Sequence, residues 1–259
     1  MNLAGLSVMV TRPLPNGMEF CAVLQQHGAR TVYFPTIEII EPQHAALLTE
    51  QIKQLDQFDW VIFVSPQAVY RTATLIQHSW PIFPRHVKIA AVGAATAELL
   101  KKMHLPPSVY PATQWSTEGL LELPEFQSLQ KKKIALIRGE GGRELLAKEC
   151  EWRGAKVSHF IAYQRRLPAY DAIRDYVMIL KERRVDIIIC SSADSLHNLF
   201  LLCGTLNSAM LTHIPLLVVS ERLLVLAEEY GFKHVFLAKN AGQNAIIDTL
   251  KTVKRMSAI

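Results

Sequence analysis

LIRGEGGRELLA, residues 136–147, ends an apolar run in an arginine, crowds three glycines into the next four places, and passes at once into a segment of helical period. The run itself is KIALI (133–137), continuous rather than alternating, as a strand covered on both faces should be. Similar runs recur at SVMVT (7–11), WVIFV (60–64), KIAAV (88–92), DIIIC (186–190) and PLLVV (215–219), most of them leading into helix-period segments. Repetition of strand, turn and helix predicts an α/β chain with parallel sheets. Shorter strand candidates lie at 31–34, 108–110, 156–163 and 234–237.

The order of these units repeats. Segment 7–40 runs strand, arginine, glycine-bearing loop, helix and HGARTVYFPTIEI; segment 134–164 runs strand, arginine, glycine-rich loop, helix and RGAKVSHFIAYQ. DWVIFVSPQAVYRTATLI matches VDIIICSSADSLHNLFLL, KIAAVGAATAELLKKMHL matches PLLVVSERLLVLAEEYGF, and the closing TEGLLELPEF matches QNAIIDTLKT. The chain is a duplication of the form A, B, A′, B′, with a period too long for a solenoid. Two similar doubly wound, flavodoxin-like domains of about five parallel strands each follow from the strand count. The pattern leaves open whether A shares a sheet with B or with B′.

At 259 residues and 50% hydrophobic content the chain can bury a substantial core. No apolar stretch reaches the roughly 18 residues needed to span a bilayer, and MNLAGLSVMVTRP does not read as an export leader. A cytoplasmic location is expected. Cys21, Cys150, Cys190 and Cys203 form no CxxC pair and the histidines no HExxH, so no metal site or disulfide framework is expected. A formal charge of +5 is scattered, apart from KKK at 131–133 and the pair Arg165, Arg166. Nucleic-acid binding calls for a denser basic stripe. A small polyanionic ligand is enough to explain the excess, and so is chance.

Six loops leave the carboxyl ends of the strands: TRPLPNG, VSPQA, VGAAT, RGEGG, SSADS and VSERL. Each supplies Ser, Thr, Gly or Arg where a helix begins. In open α/β sheets ligands bind there, and free N–H groups at helix starts favour carboxylates and phosphates. Ser and Thr are also ordinary helix N-caps and Gly an ordinary turn residue, which accounts for any one of these loops without a ligand. Six of them on matched halves suit an extended molecule carrying several acid groups. The glycine loop fails the dinucleotide fingerprint, because Glu144 stands where the last glycine should be, and it lacks the GK[ST] of a P-loop. What remains is a turn whose amides, with Arg138 and Arg143, can accept carboxylates, or in which Arg143 pairs with a surface acid. No GxSxG elbow or other nucleophile-and-base arrangement appears.

TRP (11–13), FVSPQAV (63–69), VGAATA (92–97), IRGEGGREL (137–145), GAKVSHFIAYQR (154–165) and VVSERL (218–223) together resemble the uroporphyrinogen-III synthases, especially the bacterial branch. The resemblance covers nearly the whole chain in order. It implies a cofactor-free, monomeric lyase of tetrapyrrole biosynthesis that cyclises the linear tetrapyrrole hydroxymethylbilane, with inversion of the last ring and loss of water. A transient contact with the preceding pathway enzyme is implied as well. It also implies that the first segment joins the C-terminal part: domain one as 1–36 with 168–259, domain two as 37–167. Linker strands would lie near PTIEIIE (35–41) and IAYQRRLP (161–168).

By the same resemblance Tyr163 is the expected acid, since a phenol stays protonated at neutral pH and can donate to the departing hydroxyl. Arg12, Ser65, Thr96, Arg138, Gly139, Ser191 and Ser220 are the expected substrate-binding residues, with Gly93, Gly141 and Ser192 from the same loops. The chain departs from the family at Ser220, Glu221, Arg222, where threonines are common; Arg222 is expected to replace a hydroxyl contact. Three other readings compete: a non-catalytic two-domain binder of a small polyanion, a nucleotide-sugar transferase, and a response-regulator-like module. The absent leader, the absent phosphate fingerprint and the absent acidic cluster weigh against them in turn.

Overall fold

The computed structural model describes residues 2–169, 178, 185–204 and 208–257. The chain divides into two compact units, one of residues 1–39 with 166–259 and the other of residues 40–165.

Unit one is built on β1 (Ser7–Val10), β2 (Arg30–Tyr33), β8 (Ile187–Cys190), β9 (Leu216–Val218) and β10 (Val235–Leu237), in the order β10-β9-β8-β1-β2. Every neighbouring pair is parallel. Since β1 pairs with β8, the A segment shares its sheet with B′. The continuous apolar runs are explained by their two-sided burial. Val8, Val10, Ile187, Ile189 and Leu217 enter one core cluster, while the alternating Met9, Ile188, Cys190, Leu216 and Val218 enter another across the sheet. Each such side chain contributes about 1.5–3 kcal/mol of transfer free energy when fully buried.

Unit two is built on β4 (Trp60–Phe63), β5 (Lys88–Ala91), β6 (Lys133–Gly139) and β7 (Lys156–Arg166), with β3 (Glu38–Ile40) beside β7, in the order β3-β7-β6-β4-β5. The β4–β5, β4–β6 and β6–β7 pairs are parallel. Trp60, Ile62, Ala90, Ile134 and Leu136 pack in one cluster with Phe126 and Leu146. The segments expected as a strand at 156–163 and a linker at 161–168 are one strand, β7. The strand expected at 108–110 is reduced to a single bridge between Ala90 and Val109.

The duplication is visible in how the helices stop. Helix Asn16–Gln26 ends with Ala29 N–H donating to Leu24 O and Gly28 N–H to Gln25 O; helix Leu145–Trp152 ends with Ala155 donating to Cys150 O and Gly154 to Glu151 O. Both are Schellman closures, and both glycines hold the positive φ the motif requires, +88° and +94°. The B copies close the same way, Gly231 after helix Glu221–Glu229 and His104 after helix Ala94–Lys102. His104 adopts φ 56° without being a glycine.

Candidate functional site

Unit two carries most of the expected site residues, at the carboxyl ends of its strands. β4 delivers Ser65, which is extended and caps helix Pro66–Ser79 by accepting from Ala68 N–H at 3.2 Å. β5 delivers Gly93, which starts helix Ala94–Lys102 with no side-chain cap, so its turn offers backbone N–H groups alone. Thr96, at the start of the same helix, is 3% exposed.

β6 delivers the glycine loop, and its first guest is its own arginine. Arg138, 5% exposed, donates from Nε to Gly139 O at 3.3 Å and from Nη2 to Gly141 O, and its Nη1 lies 2.8 Å from Glu144 Oε1. Arg138, expected to bind a substrate carboxylate, turns these donors into the loop and braces the turn from inside. Arg143 pairs with Glu118 at 2.8 Å on the surface. Glu118 is held below the usual carboxylate range, first by the backbone N–H at its own helix start and then by Arg143. Gly141, at φ +68°, leaves open space around its α-carbon.

The β6–β7 register shifts between Arg138 and Gly139: Arg138 faces Ile161, but Gly139 faces Tyr163. This bulge skips Ala162 and sets the Tyr163 ring directly over Gly139. A Cβ at 139 would lie 2.5 Å from Tyr163 Cε2 and 2.6 Å from Cζ, so only glycine leaves room for the ring. Tyr163 is 1% exposed. Its Oη lies 3.1 Å from Ser65 Oγ and accepts from Arg165 Nη2 at 3.2 Å, while the Arg165 guanidinium stands 5.5 Å from the ring centroid. The sequence marked Arg165 only as half of a basic pair. The signal was available, since residues i and i+2 of a strand share a face. Its neighbour Arg166 turns the other way and holds Glu38 through two bonds of 2.8 and 3.0 Å.

Unit one carries its own turns. Arg12, half-buried, donates to Ala241 O at 3.0 Å and lies 5.0 Å from the Phe20 ring centroid, with no carboxylate partner among the described residues. Burial lowers its pKa from the usual arginine value. Ser192 caps helix Ala193–Cys203 through Ser195 N–H at 3.1 Å, and Ser220 caps helix Glu221–Glu229 through Leu223 N–H at 3.4 Å. Ser191 is half-buried beside them, and Glu221 and Arg222 are exposed in the first turn after Ser220. Sequence reasoning missed a buried hydroxyl cluster behind this edge: Ser195 Oγ lies 2.9 Å from Thr11 Oγ1 and 2.7 Å from Thr36 Oγ1, and Thr11 donates to Ile189 O. These three fasten the ends of β1 and β8 and leave the outward-facing donors to the turns.

All four cysteines are buried, and burial pushes the Cys150 and Cys203 thiols up to about 12. Among the described residues no cluster of His, Cys, Asp or Glu is placed to hold a metal ion, and no helix is long and apolar enough to cross a membrane.

Comparison with known proteins bears on the family and on the fold. The family model described as uroporphyrinogen-III synthase HemD matches residues 19–248. The uroporphyrinogen-III synthase of Escherichia coli is 33% identical over 247 residues, covering 95% of this chain and all of the relative; that of Salmonella typhimurium is 33% identical over 250 residues, also covering 95% of this chain. Among solved structures, a mutant uroporphyrinogen III synthase from Thermus thermophilus aligns with a TM-score of 0.63 at 19% identity, covering 97% of this chain and 100% of its own. The Helicobacter pylori uroporphyrinogen-III synthetase aligns with a TM-score of 0.55 at 14% identity, covering 98% of this chain and 100% of its own. At such identities the structures speak for the α/β fold, while the family match and the relatives speak for descent. The chain belongs to the uroporphyrinogen-III synthase family.

Proposed function

We propose that the chain cyclises hydroxymethylbilane to uroporphyrinogen III, with Tyr163 as the source of the proton that leaves with the terminal hydroxyl. The observation that carries the site assignment is the seat of Tyr163 on Gly139 with its hydroxyl 3.1 Å from Ser65, at the carboxyl edge where α/β sheets bind ligands.

The substrate is a flexible linear tetrapyrrole bearing acetate and propionate side chains on its rings. Loss of the terminal hydroxyl as water gives an azafulvene cation, attack on the last ring gives a spiro intermediate, and reopening inverts that ring before closure. Left alone, the bilane closes to the wrong isomer, so the protein's main task is to hold one conformation. Anion-favouring turns suit that task. Gly93, Gly139 and Gly141 offer backbone N–H groups, and Ser65, Ser192 and Ser220 accept one helix N–H each while keeping a hydroxyl proton to donate. Arg12, desolvated and without a carboxylate partner among the described residues, is the strongest anion ligand in unit one. Ser191 and Arg222 complete the set there. Thr96 belongs to the same set in unit two, and Arg138 contributes through loop bracing.

The enzyme works as a monomer in the cytoplasm, takes its unstable substrate from the preceding pathway enzyme by transient contact, and needs no cofactor. The test is a coupled assay that supplies hydroxymethylbilane and resolves the I and III isomers. Excess III isomer over the uncatalysed reaction is the expected result; an unchanged isomer ratio excludes the activity.

A further inference from the structure

We propose that Ser65 is the residue that hands the proton to the departing hydroxyl, that Tyr163 replaces it from behind, and that Arg165 is the positioning residue that makes Tyr163 able to do so. The proposal rests on the reading of Tyr163 as the proton source and changes how that proton reaches the substrate.

Burial makes a direct transfer from Tyr163 difficult. The ring is 1% exposed and clamped over Gly139, whereas Ser65 is half-buried at the start of its helix and open to a ligand at the turn. The hydrogen-bond directions make a chain. Arg165 has only N–H donors, so Tyr163 Oη accepts from it at 3.2 Å, and the phenol proton remains available to Ser65 Oγ at 3.1 Å. Ser65 Oγ also accepts Ala68 N–H at 3.2 Å. With both acceptor positions of Ser65 used, its own proton points away from Tyr163 and the helix, toward whatever occupies the turn.

The transfer balances. The C–O bond of the hydroxymethyl group breaks, and its electron pair leaves with the oxygen, which takes the Ser65 proton and departs as water. The adjoining pyrrole nitrogen supplies electrons to the carbon and carries the cation. Ser65 Oγ takes the Tyr163 proton in the same movement, leaving negative charge on the phenol oxygen beside the Arg165 guanidinium. The ring proton lost on closure later restores Tyr163. A fixed positive donor aimed at an oxygen whose charge appears only during reaction lowers the barrier without tightening substrate binding.

The proposal therefore separates kcat from KM and couples three residues. In initial-rate assays of III-isomer formation with hydroxymethylbilane, Arg165→Gln is expected to lower kcat at least tenfold with KM within about twofold, and Arg165→Lys to recover part of the loss. Ser65→Ala is expected to lower kcat comparably, with Ser65→Thr restoring it, because threonine keeps both the hydroxyl and the helix cap. In the Tyr163→Phe background, adding Arg165→Gln is expected to cost no further rate, since Arg165 acts only through the phenol. Arg165 is exposed, so the melting temperature of Arg165→Gln should stay close to that of the unchanged protein. A raised KM with kcat kept in Arg165→Gln, or additive losses in the double variant, would overturn the relay and make Arg165 a ligand for a substrate acid. Failure of the unchanged protein to form the III isomer would instead overturn the proposed function itself.

Discussion

Arg138 and Glu144 close the glycine turn from its two ends, with Nη1 2.8 Å from Oε1 and the guanidinium almost wholly withdrawn from solvent. The turn that looked in sequence like an open anion cradle is thus shaped by an internal cation, whose other donors go to the carbonyls of Gly139 and Gly141. Arg138→Gln removes that brace and leaves the two carbonyls short of a donor. We expect a loss of about 2 kcal/mol in urea unfolding, within the range for breaking a largely buried hydrogen-bonded charge but reduced because Glu144 remains hydrated. A variant as stable as the unchanged protein would show that the brace is ornamental.

Gly139→Ala places a methyl group 2.5 Å from Tyr163 Cε2, and the ring has no flexible end with which to yield. The ring must shift or the bulge must flatten, and either move takes Oη out of the 3.1 Å contact with Ser65. The expected result is a kcat at least tenfold lower, on the general scale of a misplaced catalytic group. Tyr163→Phe combined with Gly139→Ala should then be little worse than Tyr163→Phe alone. An alanine variant with full turnover would show that the seat is not needed.

The Arg166–Glu38 pair gives a dependence on pH whose sign is fixed by geometry. Hydrogen bonds from Arg166, then a small opposing effect of burial, leave Glu38 below its ordinary pKa. A carboxylate depressed in the folded state stabilises it above the unfolded pKa, and the contribution disappears as pH falls through the folded value. The melting-temperature gap between the unchanged protein and Glu38→Gln should be small, largest above about pH 5, and should close under acid conditions; the carboxylate reference near 4.3 sets that window. A gap that widens toward low pH would contradict the assignment.

His104→Gly tests the Schellman closure. The imidazole residue sits at φ 56° where the other three closures use glycine, and it is exposed, so its removal costs no packing. Relief of left-handed strain of about 1–2 kcal/mol is offset in part by the greater freedom of glycine in the unfolded chain. A net gain of roughly 0.5–1 kcal/mol in chemical denaturation is expected. Destabilisation would mean that His104 makes a contact worth more than the strain.

What the sequence determined by itself was everything written in local patterns. Continuous apolar runs placed six of the strands, because two-sided burial leaves no room for polar alternation in segments such as Ile187–Cys190. Serines ahead of helical segments marked the caps at Ser65, Ser192 and Ser220, because an unpaired helix N–H needs an acceptor within three residues. The pattern of runs left the sheet partner of A open, the family resemblance implied B′, and the β1–β8 pairing shows it; the tertiary structure alone decided that Arg138 turns inward and that Ser65 and Tyr163 join across 98 residues of chain, with Arg165 beside them. That junction depends on sheet order and on a single-residue bulge, and a register shift of one residue leaves the pattern of apolar and polar letters almost unchanged while it decides which side chain stands over Gly139.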